Sequence, residues 1–136
     1  MHTLFETETL RIQHEYEQTQ LVRKSSGVVL LEDDFYGYPD CAIISNNDDW
    51  AIMAGEHLTI WKETRRGKYE STTIENEELR WIHSLRIKTG NIVEILIDPW
   101  SEKSAIWELN IDTLQVVKIR DFMDYFEKGY TEDIKW

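Results

Sequence analysis

The chain has 136 residues, with 26 Asp and Glu against 15 Lys and Arg, and a formal net charge of −11. That balance repels nucleic-acid phosphates and anionic lipid and favours encounter with something basic. A hydrophobic content of 41% with six Trp excludes an acidic disordered tail and suits a single domain, residues 1–136, that builds a core without staples.

Apolar residues recur mostly with period two, so most of the chain is predicted as strands. Residues 10–16 set Leu10, Ile12, His14 and Tyr16 against Arg11, Gln13 and Glu15, a first strand with one dry face. Residues 21–23 and 28–31 flank Lys24-Ser25-Ser26-Gly27, a hairpin loop. Residues 41–45, 50–54 and 58–61 form a meander joined by Asn46-Asn47-Asp48-Asp49 and by the Gly55-Glu56 turn. Residues 74–90 carry two patterns. As a helix they have Thr73 as cap, Glu75, Glu77 and Glu78 early, Arg86 and Lys88 late, and Gly90 beyond the end. As a strand they alternate Trp81, His83, Leu85 and Ile87 with Arg80, Ser84, Arg86 and Lys88, interrupted by Ile82. The strand is preferred from Arg80 on, the acidic stretch before it forming a loop or one helical turn.

Residues 92–97 form an apolar strand broken only by Glu94, and residues 105–109 and 115–119 a hairpin around Ile111-Asp112-Thr113-Leu114. Asp121 then caps a short helix over residues 121–128, with Phe122, Tyr125 and Phe126 on one face and Gly129 as its stop. Pro39 and Pro99 mark loop corners. The expected fold class is α+β, mainly β: an antiparallel meander or half-open barrel sheet with the C-terminal helix packed on it. The stretches ending in Trp61 and Ile119 are faintly similar in the manner of propeller blades, yet a closed propeller needs at least about four and this chain has room for about three.

Carboxylates cluster at Glu32-Asp33-Asp34, at Asp48-Asp49, and at Glu75 with Glu77 and Glu78. The first cluster runs into Phe35-Tyr36-Gly37-Tyr38-Pro39-Asp40, a loop suited to a basic groove: its carboxylates pair with Arg or Lys, and its tyrosines give rigid contact area. The candidate partner-binding set is Glu32, Asp33, Asp34, Tyr36, Tyr38, Asp48 and Asp49. The competing reading is a solvated connection with both tyrosines folded over the core.

Nothing in the chain carries a catalytic or cofactor signature. The spaced-Asp calcium loop is missing, and His2, His14, His57 and His83 lack metal-ligand spacing. His14 and His83 are expected as hydrogen-bonded core residues. Cys41, the single cysteine, excludes a disulfide framework and heads Ala42-Ile43-Ile44, which predicts a buried inert thiol. No Gly-x-Ser-x-Gly elbow or phosphate-cradling glycine loop occurs. No catalytic residue, cofactor, metal or enzymatic activity is therefore expected. Trp50, Trp61, Trp81 and Trp107 are assigned to the core, while Trp100 and Trp136 are expected at the surface, where they suit a protein interface or a sugar platform. No basic patch frames them beyond Arg65-Arg66-Gly67-Lys68 and Arg80, Arg86 and Lys88, so nucleic acid is not an expected partner. The start, Met1-His2-Thr3-Leu4-Phe5-Glu6, lacks the basic and apolar runs of a secretory signal, and no segment has membrane-spanning length. The cytoplasm is the expected address.

The whole profile, small, acidic, aromatic-heavy and β-rich, resembles the immunity proteins of bacterial polymorphic toxin and contact-dependent growth inhibition systems. The resemblance covers length and style rather than a signature motif. It implies inhibition without chemistry: an acidic, aromatic surface covers a basic toxin domain, often a nuclease. The alternative is a β-sheet module that binds a carbohydrate or small ligand at Trp100 or a tryptophan pocket.

Overall fold

The period-two pattern is realised throughout. The computed structural model describes residues 1–136 and consists of twelve strands and no helix. The strands form three consecutive antiparallel meanders, each following chain order in space. Sheet I contains β1 (His2–Glu6), β2 (Leu10–Glu15), β3 (Gln18–Arg23) and β4 (Val29–Asp34). Sheet II contains β5 (Cys41–Ile44), β6 (Trp50–Ala54), β7 (Leu58–Arg65) and β8 (Lys68–Thr73). Sheet III contains β9 (Ile82–Thr89), β10 (Ile92–Ile97), β11 (Ala105–Asn110) and β12 (Val116–Asp121).

The sheets stack in layers with sheet II in the middle. Along β6, Ala51 and Met53 join Ile44 and Trp61 in packing on Leu10, Ile12, Leu21 and Phe35 of the sheet I side. The alternate residues Trp50, Ile52 and Ala54, with Leu58 and Ile60 of β7, pack on Val93, Ile95, Ile97, Trp107 and Leu109 of sheet III. Both faces of β6 are therefore dry, which is why Trp50-Ala51-Ile52-Met53-Ala54 is a continuous apolar run rather than an alternating one. At the interior edge, β5 lies against β1 on one side and β9 on the other.

The two outer faces are finished differently. Sheet I turns polar pairs outward, with Gln13 Nε2 donating to Gln20 Oε1 at 3.3 Å and Arg11 Nε donating to Glu6 at 3.2 Å. Sheet III has Leu96 and Ile106 on its outer face, covered by Phe122, Tyr125, Ile134 and Trp136 of the C-terminal segment. Arg86 fastens that strap: its guanidinium lies 3.9 Å from the centre of the Trp136 ring, and its Nε donates to Glu94 at 2.8 Å. The stack thus ends in a polar face and a covered face, as the terminal units of a repeat array must.

Three expectations are corrected. The helix over residues 121–128 is absent, and the meanders form three stacked sheets rather than one sheet or half-barrel with a helix on it. Asp121 stays in β12 opposite Ala105, and the Phe122 N–H donates to Ser104 O at 3.0 Å, so Asp121 is held in the ladder rather than released to cap. Two successive turns follow, closed by Phe126 N–H to Met123 O and Lys128 N–H to Tyr125 O, and the left-handed Glu127 (φ 61°) breaks any continuation. A helix this short has too few internal bonds to offset its nucleation cost. The second correction is Trp81, which is not a core residue: it precedes β9 with φ 56° and lies half exposed. Ile82 takes the inward position. Pairing of Ile97 with Ile82 and of Leu96 with Ser84 leaves His83 as the extra residue of a β-bulge, which restores Leu85 and Ile87 to the inner face. Third, Trp136 is half-buried as the end of the strap, against the Arg86 guanidinium, instead of standing at the surface, and Trp100 is half-buried as well. No helix is long and apolar enough to cross a membrane.

Candidate functional site

A meander places alternate connections at opposite ends of its strands. Here the connections β2–β3, β4–β5, β8–β9 and β10–β11, with the segment after β12, share one end of the stack, and β1–β2, β3–β4 and β5–β6 share the other. The candidate set divides accordingly. Glu32, Asp33 and Asp34 close β4 and lead to Tyr36 and Tyr38 at the first end, whereas Asp48 and Asp49 sit in the β5–β6 turn. Between them runs the four-residue β5, roughly 13 Å long at about 3.4 Å per residue.

Four of the seven candidates bond to other side chains of the protein, Glu32 at an exposed position where its carboxylate accepts the Gln18 amide, and the other three in less exposed places. Asp49 Oδ1 accepts the Ser45 hydroxyl at 2.6 Å, and Ser45 Oγ accepts the Asp49 N–H at 3.0 Å, closing the β5–β6 turn. Asp48, left-handed at φ 57°, accepts the Thr9 hydroxyl and links that turn to the β1–β2 turn. Asp33 projects from the inner face of sheet I, where its Oδ2 lies 2.8 Å from His57 Nε2 and accepts the Thr59 hydroxyl at 2.5 Å. A ring nitrogen must carry a proton to bond a carboxylate, so this contact assigns a hydrogen to Nε2. His57 stacks on Phe35 at 4.2 Å and 7°, and its Nδ1 is 3.3 Å from Glu56, whose other oxygen accepts Arg80 Nη1 at 2.8 Å. This line of charges ties sheet I to sheet II and to the β8–β9 connection. It does not form a nucleophile–base pair, because the Thr59 hydroxyl is bonded to the carboxylate and to Thr73, at 3.1 Å, rather than to the imidazole.

Glu32, Asp34, Tyr36 and Tyr38 remain exposed. Their loop is seated on Gly55: a Cβ there would stand 3.1 Å from Tyr38 O, 3.2 Å from Pro39 Cα and 3.3 Å from Phe35 Cδ1. Around the loop the same end of the stack gathers other aromatics. Tyr16 (72% exposed), Tyr36 (73%), Tyr38 (57%), Trp81 (50%) and Tyr130 (75%) account for all strongly exposed aromatic side chains except Tyr69, which stacks on Trp61 at the side of the molecule. Tyr36 meets Trp81 edge-on at 6.2 Å, Tyr38 lies 5.9 Å from His14, and Tyr130 lies 5.2 Å from Trp100.

Beside Trp81 opens a cavity of about 310 Å³ lined by Asp40, Trp81, His83, Asp98, Trp100 and Tyr130. The β9 bulge aims His83 into this wall, edge-on to Trp100 at 5.4 Å. Asp98 Oδ1 accepts the Trp100 N–H at 3.1 Å, fixing the turn that carries the indole. Asp40 keeps an exposed surface, yet the residues packed round its carboxyl strip part of its water and raise its pKa; His83 opposes that rise and Asp98 adds to it. Burial lowers the His83 pKa against the pull of Asp40 and Asp98. Burial, aided by the charge of Asp40, pushes the neighbouring Cys41 thiol far up, which suits an inert packing role. No three His, Cys, Asp or Glu side chains gather as metal ligands.

Sequence reasoning grouped Tyr36, Tyr38 and Asp40 in one loop but missed Tyr16, Trp81, Tyr130 and Asp98 as their neighbours. The interruption of alternation at Ile82 was the available signal for Trp81, since a bulge there throws the preceding residue off the inner face. Comparison with protein-family models, with curated proteins and with solved structures finds no match to this chain, so its functional assignment rests on the geometry of this aromatic, acidic end.

Proposed function

We propose that this protein is a non-enzymatic, cytoplasmic inhibitor of the immunity-protein kind, which binds a basic toxin domain, by class a nuclease, through the aromatic end of its sheet stack. One observation carries the reading: Tyr16, Tyr36, Tyr38, Trp81 and Tyr130 stand exposed together, flanked by Glu32, Asp34, Asp40 and Asp98. Exposed Tyr and Trp are the side chains that supply most of the energy of protein interfaces. The surrounding carboxylates suit a groove that otherwise holds phosphates, and the net charge of −11 steers such a partner at long range. The contact set is Glu32, Asp34, Tyr36, Tyr38 and Trp81. Asp33 supports the surface from within, and Asp48 and Asp49, which close the turn at the opposite end of the stack, lie outside it.

The test pairs this chain with the C-terminal domain of whatever protein the reading frame immediately upstream encodes, assayed as a toxin. Co-expression protects cells, and the combined variant Tyr36→Ala, Tyr38→Ala, Trp81→Ala loses both protection and binding while staying folded. Association slows several-fold between about 0.05 M and 0.15 M salt, across which the Debye length shortens from roughly 14 to 8 Å. Full protection by the triple variant, or the absence of any toxin whose action this chain blocks, would overturn the reading.

A further inference from the structure

We propose that the cavity walled by Trp81, Trp100 and Tyr130 and edged by Asp40 and Asp98 receives an arginine side chain of the basic partner. This inference rests on the inhibitor reading and identifies the point of that surface where the partner inserts.

The argument starts from charge pairing. Glu56, Glu94 and Glu108 are half-buried carboxylates, and each holds a cation at 2.8 Å: Arg80, Arg86 and Lys88. Asp40 and Asp98 face the same cavity and have no such cation. Asp98 spends one oxygen on the Trp100 N–H, and the Asp40 carboxylate accepts no hydrogen bond from the protein. His83 is the only basic group in the lining, and burial holds it towards its neutral form. The cavity is thus a pair of like charges short of a counter-charge, and an incoming cation relieves their repulsion as well as pairing with them.

The walls select the kind of cation. Trp100 and Tyr130 lie with centroids 5.2 Å apart and planes inclined by 34°, and Trp81 stands half exposed across the opening. A flat, weakly hydrated guanidinium stacks on such rings while its fork donates to carboxylates; a compact, strongly hydrated ammonium does this less well. The cavity, about 310 Å³, has the volume for a side chain and is open at the same end as Tyr36 and Tyr38. An arginine seated there lies within a contact surface rather than at its margin.

The test uses the full chain and N-acetyl-arginine amide as the probe, followed by the indole signals of Trp81 and Trp100 in NMR titration. Saturable shifts are expected with this probe, and none with the neutral isostere N-acetyl-citrulline amide. Asp40→Asn together with Asp98→Asn weakens binding at least about ten-fold, the loss expected for charge-assisted bonds. Tyr130→Ala, at a side chain too exposed to affect folding, weakens it in parallel. Equal response to the citrulline probe, response unchanged in both variants, or saturation by an oligosaccharide in place of the arginine probe would overturn the proposal. Protection from the toxin is read separately, so a silent cavity beside intact protection that depends on Tyr36, Tyr38 and Trp81 refutes this inference alone.

Discussion

Replacing Asp33 by alanine removes the oxygen on which His57 Nε2, at 2.8 Å, and the Thr59 hydroxyl, at 2.5 Å, converge. Hydrogen bonds to a charged acceptor contribute about 1.5–3 kcal/mol each. Two considerations reduce their sum. The Asp33 side chain is 24% exposed, so water already competes for it and can reach the freed His57 Nε2–H, and the Thr59 hydroxyl keeps Thr73 as a second partner. The expected loss is about 2–3 kcal/mol, or roughly 6–12 °C in Tm for a domain of this size. Asp34→Ala is the control: its side chain is exposed and unpaired, and its removal should cost under about 0.5 kcal/mol. Urea unfolding followed by tryptophan fluorescence, checked by calorimetry, measures both. If Asp33→Ala is as stable as Asp34→Ala, the carboxylate is not a tether between sheets I and II. The comparison also bears on interface mapping, because a double variant at these two positions confounds lost contact with lost stability.

Gly55→Ala should destabilise by about 1–2 kcal/mol, since the new methyl meets loop backbone at 3.1 and 3.2 Å, and it should disturb the Tyr36–Tyr38 loop; a neutral result in urea unfolding would show that the loop yields freely. His83 gives a pH signature. Its folded pKa lies below the ordinary 6.5, so the unfolded chain binds the extra proton first; this contribution to stability is present above pH 6.5 and is lost as pH falls through the lowered value. His83→Gln should flatten that part of a plot of urea midpoint against pH, and an unaltered slope would refute the assignment.

Much of the sheet architecture was legible because the core strands announce themselves: Ile92–Ile97 and Ala105–Asn110 are apolar runs between turn residues, and both emerge as predicted within a residue. The edge strands were not. Lys68–Thr73 is solvated on most of its length, so no hydrophobic period marks it, and His2–Glu6 carries a register shift between Thr3 and Phe5 that breaks alternation. The aromatic helix face read into Phe122 and Tyr125 is a genuine contact, with rings 5.9 Å apart, produced by a turn over a sheet instead of by helical spacing. For the site, adjacency in sequence keeps Glu32 and Asp34 beside Tyr36 and Tyr38 at one end of the stack. Composition gave no warning that Asp33 points inward, because that depends on its pairing with Thr19 across sheet I. Nor could it tell that Asp48 and Asp49 lie at the far end of β5, which only the topology decides.

Sheet II, dry on both faces, has a consequence for how the molecule forms and opens. Every strand pairs with its neighbour in sequence, so each meander closes short loops, and the costly long-range step is the seating of one layer on another. The middle layer cannot stand in water without at least one companion, whereas an outer layer can detach and leave the other two together. Backbone amides of Trp50–Ala54 should therefore exchange with solvent only on complete unfolding, and those of the flanking layers should also exchange through partial openings. The β4–β5 loop joins sheet I to the core layer, so opening at that seam would unsettle Tyr36 and Tyr38 before the centre of the protein registers any change.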